Sequence, residues 1–133
     1  MDEWGVLTEA TIDAIHVASE KKEIRIDVTC AWQGKAKKQI IATGVDDFVV
    51  NEMRLSNIID RVNKFDVGDG REGEVARRLF FMMRGREPES HELQWPALIE
   101  KLDCIRSGVL SLIEVEPVYG ATVTILAKSF LLE

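Results

Sequence analysis

The order and spacing of apolar residues predict an α+β fold: a curved antiparallel sheet, either a sandwich or a partial barrel, with a helical pair inserted before a C-terminal β-hairpin. Three observations lead there. Ile24, Ile26, Val28, Cys30 and Trp32 alternate with Glu23, Arg25, Asp27, Thr29 and Ala31, a period of two that puts one row on a core and the other in water. The middle of the chain changes to helical spacing. The end returns to alternation, so strands and helices are segregated rather than interleaved, as an antiparallel sheet requires.

Taken in order, Thr11 to Ser19 carries Ile12, Ile15 and Val17 and reads as a strand, joined to Glu23–Trp32 by a turn over Ser19 to Lys22. Gln33-Gly34-Lys35 makes the next turn and Lys37 to Thr43 the next strand. Gly44-Val45-Asp46-Asp47 is expected to break that strand, with Phe48-Val49-Val50 starting another. Between Asn51 and Phe65 the apolar residues fit a helix or a strand, and a strand near Leu55 to Asp60 is favoured. Asp66 to Gly73 holds three glycines, whose backbone entropy argues for a loop. Glu74 to Arg84 places Val75, Leu79, Phe80, Met82 and Met83 at helical spacing, with Gly85 suited to the C-terminal cap and cations in the last turns. Arg86 to Glu89 is a polar linker. Pro96 opens a second helix with Leu98, Ile99, Leu102 and Ile105 on one stripe, ending at Gly108. Val109 to Val115, a turn at Glu116-Pro117-Val118-Tyr119-Gly120, and Ala121 to Leu132 form the closing hairpin, with Val123, Ile125 and Ala127 alternating against Thr122, Thr124 and Lys128.

The 133 residues, 46% of them apolar, suit a single domain spanning 1–133. The net charge of −6, from 23 acidic and 17 basic residues, argues against a nucleic-acid binder and suits a basic partner. No apolar signal region follows Met1-Asp2-Glu3 and no apolar run is long enough to span a bilayer, so a cytoplasmic protein with no membrane contact is expected. Cys30 and Cys104 belong to no CxxC pair and are expected as reduced, core-filling thiols.

Motifs that carry chemistry are absent or incomplete. The acids Asp66, Asp69, Glu72 and Glu74 invite a calcium loop, but setting Gly70 at the sixth position puts Phe65 first and Val67 third, and neither can ligate. Gly68, Gly70 and Gly73 match the letters of a dinucleotide fingerprint, yet no apolar strand precedes them and Asp69 would repel a pyrophosphate. His16 and His91 could pair with a cysteine only through the fold, and Cys30 lies on a core-facing row where a thiol stays inert. Glu114 and Glu116 could join Asp13 or Asp27 as a carboxylate pair, although a solvated strand face accounts for them. Arg77, Arg78, Arg84 and Arg86 form the one basic cluster, with Glu72, Glu74, Glu87 and Glu89 near enough in sequence to neutralise it. No cofactor, no metal and no enzymatic activity is expected.

Two stretches carry a resemblance. Leu7-Thr8-Glu9-Ala10-Thr11-Ile12-Asp13-Ala14-Ile15 before a hairpin, and Val115-Glu116-Pro117-Val118-Tyr119-Gly120 before the last strand, resemble the opening and closing segments of immunity proteins of bacterial polymorphic toxin systems, including contact-dependent growth inhibition. The likeness covers about a third of the chain and departs from the pattern at Thr8, where those domains carry His. It implies a protein that binds a cognate toxin and occludes its active site. Acidity adds that the toxin is a basic nuclease, met by the loop acids Asp46, Asp47, Asp66, Asp69, Glu72 and Glu74. Two alternatives stand beside it. One is a small ligand-binding or enzymatic domain with a pocket between sheet and helices, lined by residues such as Trp95, Phe80 and Tyr119. The other is a homo-oligomeric adaptor pairing a free sheet edge with its copy.

Overall fold

A computed structural model describes residues 3–32, 34–65 and 71–133. A short 3-10 helix, Glu3–Leu7, leads into β1 (Thr11–Ala18), β2 (Glu23–Thr29), β3 (Lys37–Asn51) and β4 (Ile58–Phe65). Helix α1 (Glu72–Arg84), a 3-10 turn (Ser90–Gln94) and α2 (Pro96–Arg106) follow, then β5 (Ser111–Tyr119) and β6 (Thr122–Leu132). All strand pairs are antiparallel, in the order β1-β2-β3-β6-β5-β4, and the sheet curves until β4 meets β1. The seam is narrow. Thr11 registers with Ile58, and flanking bonds run from the Ile12 amide to the Asn57 carbonyl (2.9 Å) and from the Ile59 amide to the Ala10 carbonyl (2.8 Å).

Two cores result, one on each side of the barrel wall. The inner core takes the inward row of every strand, including Ile24, Ile26, Val28, Ile40, Ile59, Ile113, Val115 and Ile125, and is plugged by Trp4 and Leu7. The outer core lies between the wall and the helices. Phe65, Leu112 and Leu126 come from the strands, and Val75, Leu79, Phe80, Leu98, Leu102 and Ile105 from the helices. β5 and β6 are therefore buried on both faces, which explains near-continuous apolar runs such as Leu112-Ile113 and Ile125-Leu126-Ala127.

Several expectations are corrected. Gly44 and its neighbours bend β3 without ending it. Gly44 has φ +63°, and the register slips between Val45 and Asp47, but β6 pairs with β3 on both sides of that bulge. A Cβ at Gly44 would come within 2.7 Å of the Lys128 side chain, so close strand approach also selects glycine. β4 begins at Ile58, later than the favoured Leu55, because buried Asn57 fixes the preceding loop. Trp32 falls beyond the end of β2 and is 62% exposed, although alternation placed it on the core row. α1 starts at Glu72, so Gly73 belongs to its first turn rather than to the loop. β5 continues through Pro117 to Tyr119; Val115 is its last residue in register with β6, so that ladder has ended before the missing N–H matters. The Gly85 cap (φ 75°, its amide donating to the Phe81 carbonyl at 2.8 Å) and Pro96 in the first turn of α2 are as expected.

Candidate functional site

The outward rows of β5 and β6 change character along the strands. Leu112 stands opposite Leu126 under the helices, and one step on Glu114 stands opposite Thr124. At that step the apolar cover of α1 gives way to arginine. Arg78 donates through an NH group to Glu114, which is only 6% exposed, and approaches Glu74 at 3.4 Å. Its guanidinium also lies over the Phe65 ring, 5.5 Å from the centroid, while its Nε is buried without a hydrogen-bond partner among the described residues. An ionised carboxylate so deeply buried is tolerable only because a cation meets it there.

Beside this pair a groove of about 530 Å³ opens between α1 and the barrel wall. Its floor is Glu114, Thr124, Thr122 and Asn51; Thr122 registers with Asn51 across β6 and β3. Glu74, Arg77, Arg78 and Phe81 of α1 form one wall, and Glu52 and Glu87 complete the lining. Glu74 also receives two bonds from Arg71, at 3.1 and 3.3 Å, and the Arg71 guanidinium is the main reason its carboxyl titrates below the usual range. Chemically the groove offers fixed charges of both signs, hydroxyl and amide groups, and one aromatic face. Among the described residues, no group of three or more His, Cys, Asp or Glu side chains is arranged to hold a metal ion.

The loop from Glu52 to Asn57 continues the groove toward one end of the barrel. The buried Asn57 side chain accepts from the Arg54 amide (3.0 Å) and the Ala121 amide (2.9 Å) and donates to the Arg54 carbonyl (2.7 Å). Gly120 makes this possible. Its φ is +90°, and a Cβ there would sit 2.4 Å from the Asn57 side-chain oxygen. The pinned loop presents Leu55 fully and Met53 half to solvent, beside exposed Val118 and Tyr119, with Arg54 stacked 5.4 Å over the Tyr119 ring.

Of the six acids singled out from sequence, the four that lie among the described residues are scattered. Asp46 pairs with Lys101 and Glu72 with Arg106, so both tie α2 to its neighbours; the Arg106 bond holds the Glu72 carboxyl below its ordinary range. Asp47 accepts the Phe48 amide at 2.9 Å. Glu74 alone lines the groove, and Asp66 and Asp69 lie outside the described residues. Glu114 and Glu116 do not join Asp13 or Asp27. Glu114 meets Arg78, Glu116 accepts from Asn63 at 2.9 Å, and the two aspartates occupy the β1–β2 flank. The pocket expected around Trp95, Phe80 and Tyr119 does not form. Trp95 packs edge-on against Phe80 (6.0 Å) in a separate concavity of about 380 Å³, with Arg84 over the Trp95 ring, and Tyr119 sits at the β5–β6 hairpin. Cys30 is buried in the barrel interior and Cys104 is half-buried; both are free.

A third concavity, about 560 Å³, lies on the outer face of β1–β2–β3. Two of its three acids are already engaged, Asp13 by Thr29 (2.5 Å) and Lys37 (3.7 Å) and Asp27 by His16 (2.8 Å) and Gln39 (2.7 Å), while Glu133 bonds to Gln39 through its backbone. The groove's Glu52 and Glu87, by contrast, have no side-chain partner among the described residues. Sequence reasoning passed over Glu52, and took Glu114 for one of a carboxylate pair or of a solvated strand face and Thr122 and Thr124 for the polar row of the last strand. The available signal was Glu114 itself, one carboxylate inside the apolar run Leu112 to Val115. Among the described residues no helix is long and apolar enough to cross a membrane. Comparison with protein-family models, curated proteins and solved structures finds no match to the chain, and its functional reading rests on its own residues.

Proposed function

We propose that the chain is an immunity protein, binding a cognate bacterial toxin in the cytoplasm and neutralising it by covering the active site. The observation that carries this reading is the excess of acid on a rigid frame: 23 carboxylates against 17 Lys and Arg, on a barrel whose curved sheet closes on itself. A nuclease binds a polyanion and is correspondingly basic, so an acidic inhibitor gains fast, steered association and competes for the same surface. The short likeness of Leu7–Ile15 and Val115–Gly120 to immunity proteins points the same way. Inhibition is steric and electrostatic and requires no turnover by this chain.

The test is co-expression with the product of the adjacent open reading frame. The expected outcome is that this product kills cells alone, is harmless with the chain present, and co-purifies with it in a complex weakened by salt. A harmless neighbour that does not bind refutes the reading.

A second reading, a small-ligand-binding domain, is favoured by the groove itself, whose volume and convergent polar groups fall in the range of ligand sites. It predicts a metabolite that raises the melting temperature at micromolar to millimolar concentration and is displaced by substitutions at Glu114. A homo-oligomer would use the edge of β1 beyond the Thr11–Ile58 contact, and mass in solution as a function of concentration tests it.

A further inference from the structure

We infer that the groove beside α1 is the specificity pocket of an interface and takes an arginine side chain presented by a basic protein partner, with the pinned Met53–Leu55 loop as the apolar contact next to it. This inference rests on the immunity reading and adds the partner's anchoring chemistry. Charge chooses the occupant. Among the described residues four carboxylates line the groove against two guanidiniums, Arg77 and Arg78; buried Glu114 is met by Arg78 and Glu74 by Arg71. Glu52 and Glu87 remain without side-chain partners among the described residues. Phe81, 36% exposed, supplies an aromatic face on the same wall. A planar guanidinium satisfies both features: it stacks on an aromatic ring and gives paired hydrogen bonds to carboxylates, where an ammonium offers a hydrated point charge.

The neighbouring loop explains why the occupant belongs to a protein. Leu55 is fully exposed, held out by a loop that buried Asn57 fixes at three hydrogen bonds. Together with Met53, Val118 and Tyr119 it makes a pre-organised apolar rim continuous with Glu52 of the groove. Apolar contacts around a desolvated charged anchor are the usual make-up of a strong interface centre, and a pre-formed loop loses little entropy on binding. On the β1–β2 flank Asp13 and Asp27 are committed to neighbours and Glu133 alone of the concavity's acids lacks a side-chain partner among the described residues, whereas the groove holds two such carboxylates beside Phe81, so the groove is the surface inferred.

The experiment has two arms. In the first, acetyl-Gly-Arg-Gly-amide and its citrulline counterpart are titrated into the ¹⁵N-labelled chain. Saturable shifts at Asn51, Glu52, Phe81 and Glu87 are expected for arginine only, and are lost in Glu52→Lys/Glu87→Lys; both sites are exposed, and an unchanged circular-dichroism melt confirms folding. Equal response to citrulline, shifts spread over β1–β2, or self-association in place of saturation overturns the inference. In the second arm the adjacent gene's product is titrated with the unmodified chain, the double charge reversal, and Leu55→Asp. Each variant is expected to bind at least about tenfold more weakly. A complex indifferent to both variants retains the immunity reading and refutes the groove. No complex with the unmodified chain, alongside specific arginine-peptide binding, refutes immunity and retains the groove as a guanidinium site.

Discussion

The two flanks of the barrel share one interior and differ completely outside. On the β1–β2 flank the outward row is Asp13, Arg25, Asp27 and Thr29, each bonded to a neighbour on its own or the next strand, with His16 and Lys37 closing the network. On the β5–β6 flank the outward row is Leu110, Leu112 and Leu126, buried under two helices, until Glu114 and Thr124 end the apolar stretch. The difference teaches where a binding site can arise in such a fold. A polar wall that satisfies itself offers little to a partner. A wall with a second core leaves a step at its margin, where helix and strand part and charged groups face one another across a gap.

The comparison can be broken most severely at the second core. Leu112→Ala is expected to cost about 3–4 kcal/mol in urea unfolding, by lost transfer energy and the cavity left. Val17→Ala on the other flank, with Val17 55% exposed, should change the midpoint by less than about 0.5 kcal/mol. Equal losses would mean that the helices do not dock on the wall as described.

Next comes the step itself. Glu114→Gln or Arg78→Met should each destabilise by about 2–3 kcal/mol, because either leaves a desolvated polar group facing its former partner. The double substitution Arg78→Met/Glu114→Leu should recover most of that loss, with an interaction energy of at least about 1 kcal/mol in the cycle. Asn57→Ala belongs to the same range, about 2 kcal/mol, and should raise hydrogen exchange at Arg54 and Ala121 while sparing β1 and β2.

The smallest effects are those of pH, and they sharpen the contrast in kind. Two bonds from Arg86, at 2.8 and 2.6 Å, and one from the Glu89 amide pull the Glu92 carboxyl down to about 2. Its folded pKa is depressed, so its contribution is complete above the ordinary value of 4.5 and is lost as pH falls toward 2. Carboxyl ¹³C titration should therefore show Glu92 ionised at pH 3, with the Ser90–Gln94 turn loosening below that. Asp27, lowered chiefly by the His16 bond, follows the same sign below its ordinary 3.8, and His16→Gln should raise its midpoint.

Much of the architecture was legible because single elements obeyed single rules. β2 shows a clean period of two, α1 stops at Gly85, and α2 opens on Pro96. What escaped depended on neighbours distant in sequence. Gly44 reads as a strand end unless β6 is known to carry the ladder past it, and Trp32 reads as core unless β2 is known to stop at Thr29. The candidate groove was hidden for the same reason. Glu114 looks like any solvated strand acid until helices are seen to return over the outside of β5, whereas the loop acids Asp46 and Glu72 prove to be occupied by cations of α2.

One side-chain amide, that of Asn57, joins the loop after β3 to the turn between β5 and β6. Because the bonds reach only the backbone of Arg54 and Ala121, the identities of Met53, Arg54 and Leu55 are not constrained by them. This short stretch is thus an exchangeable cassette on a constant frame: its sequence could drift, or an engineer could randomise it, without renegotiating the fold.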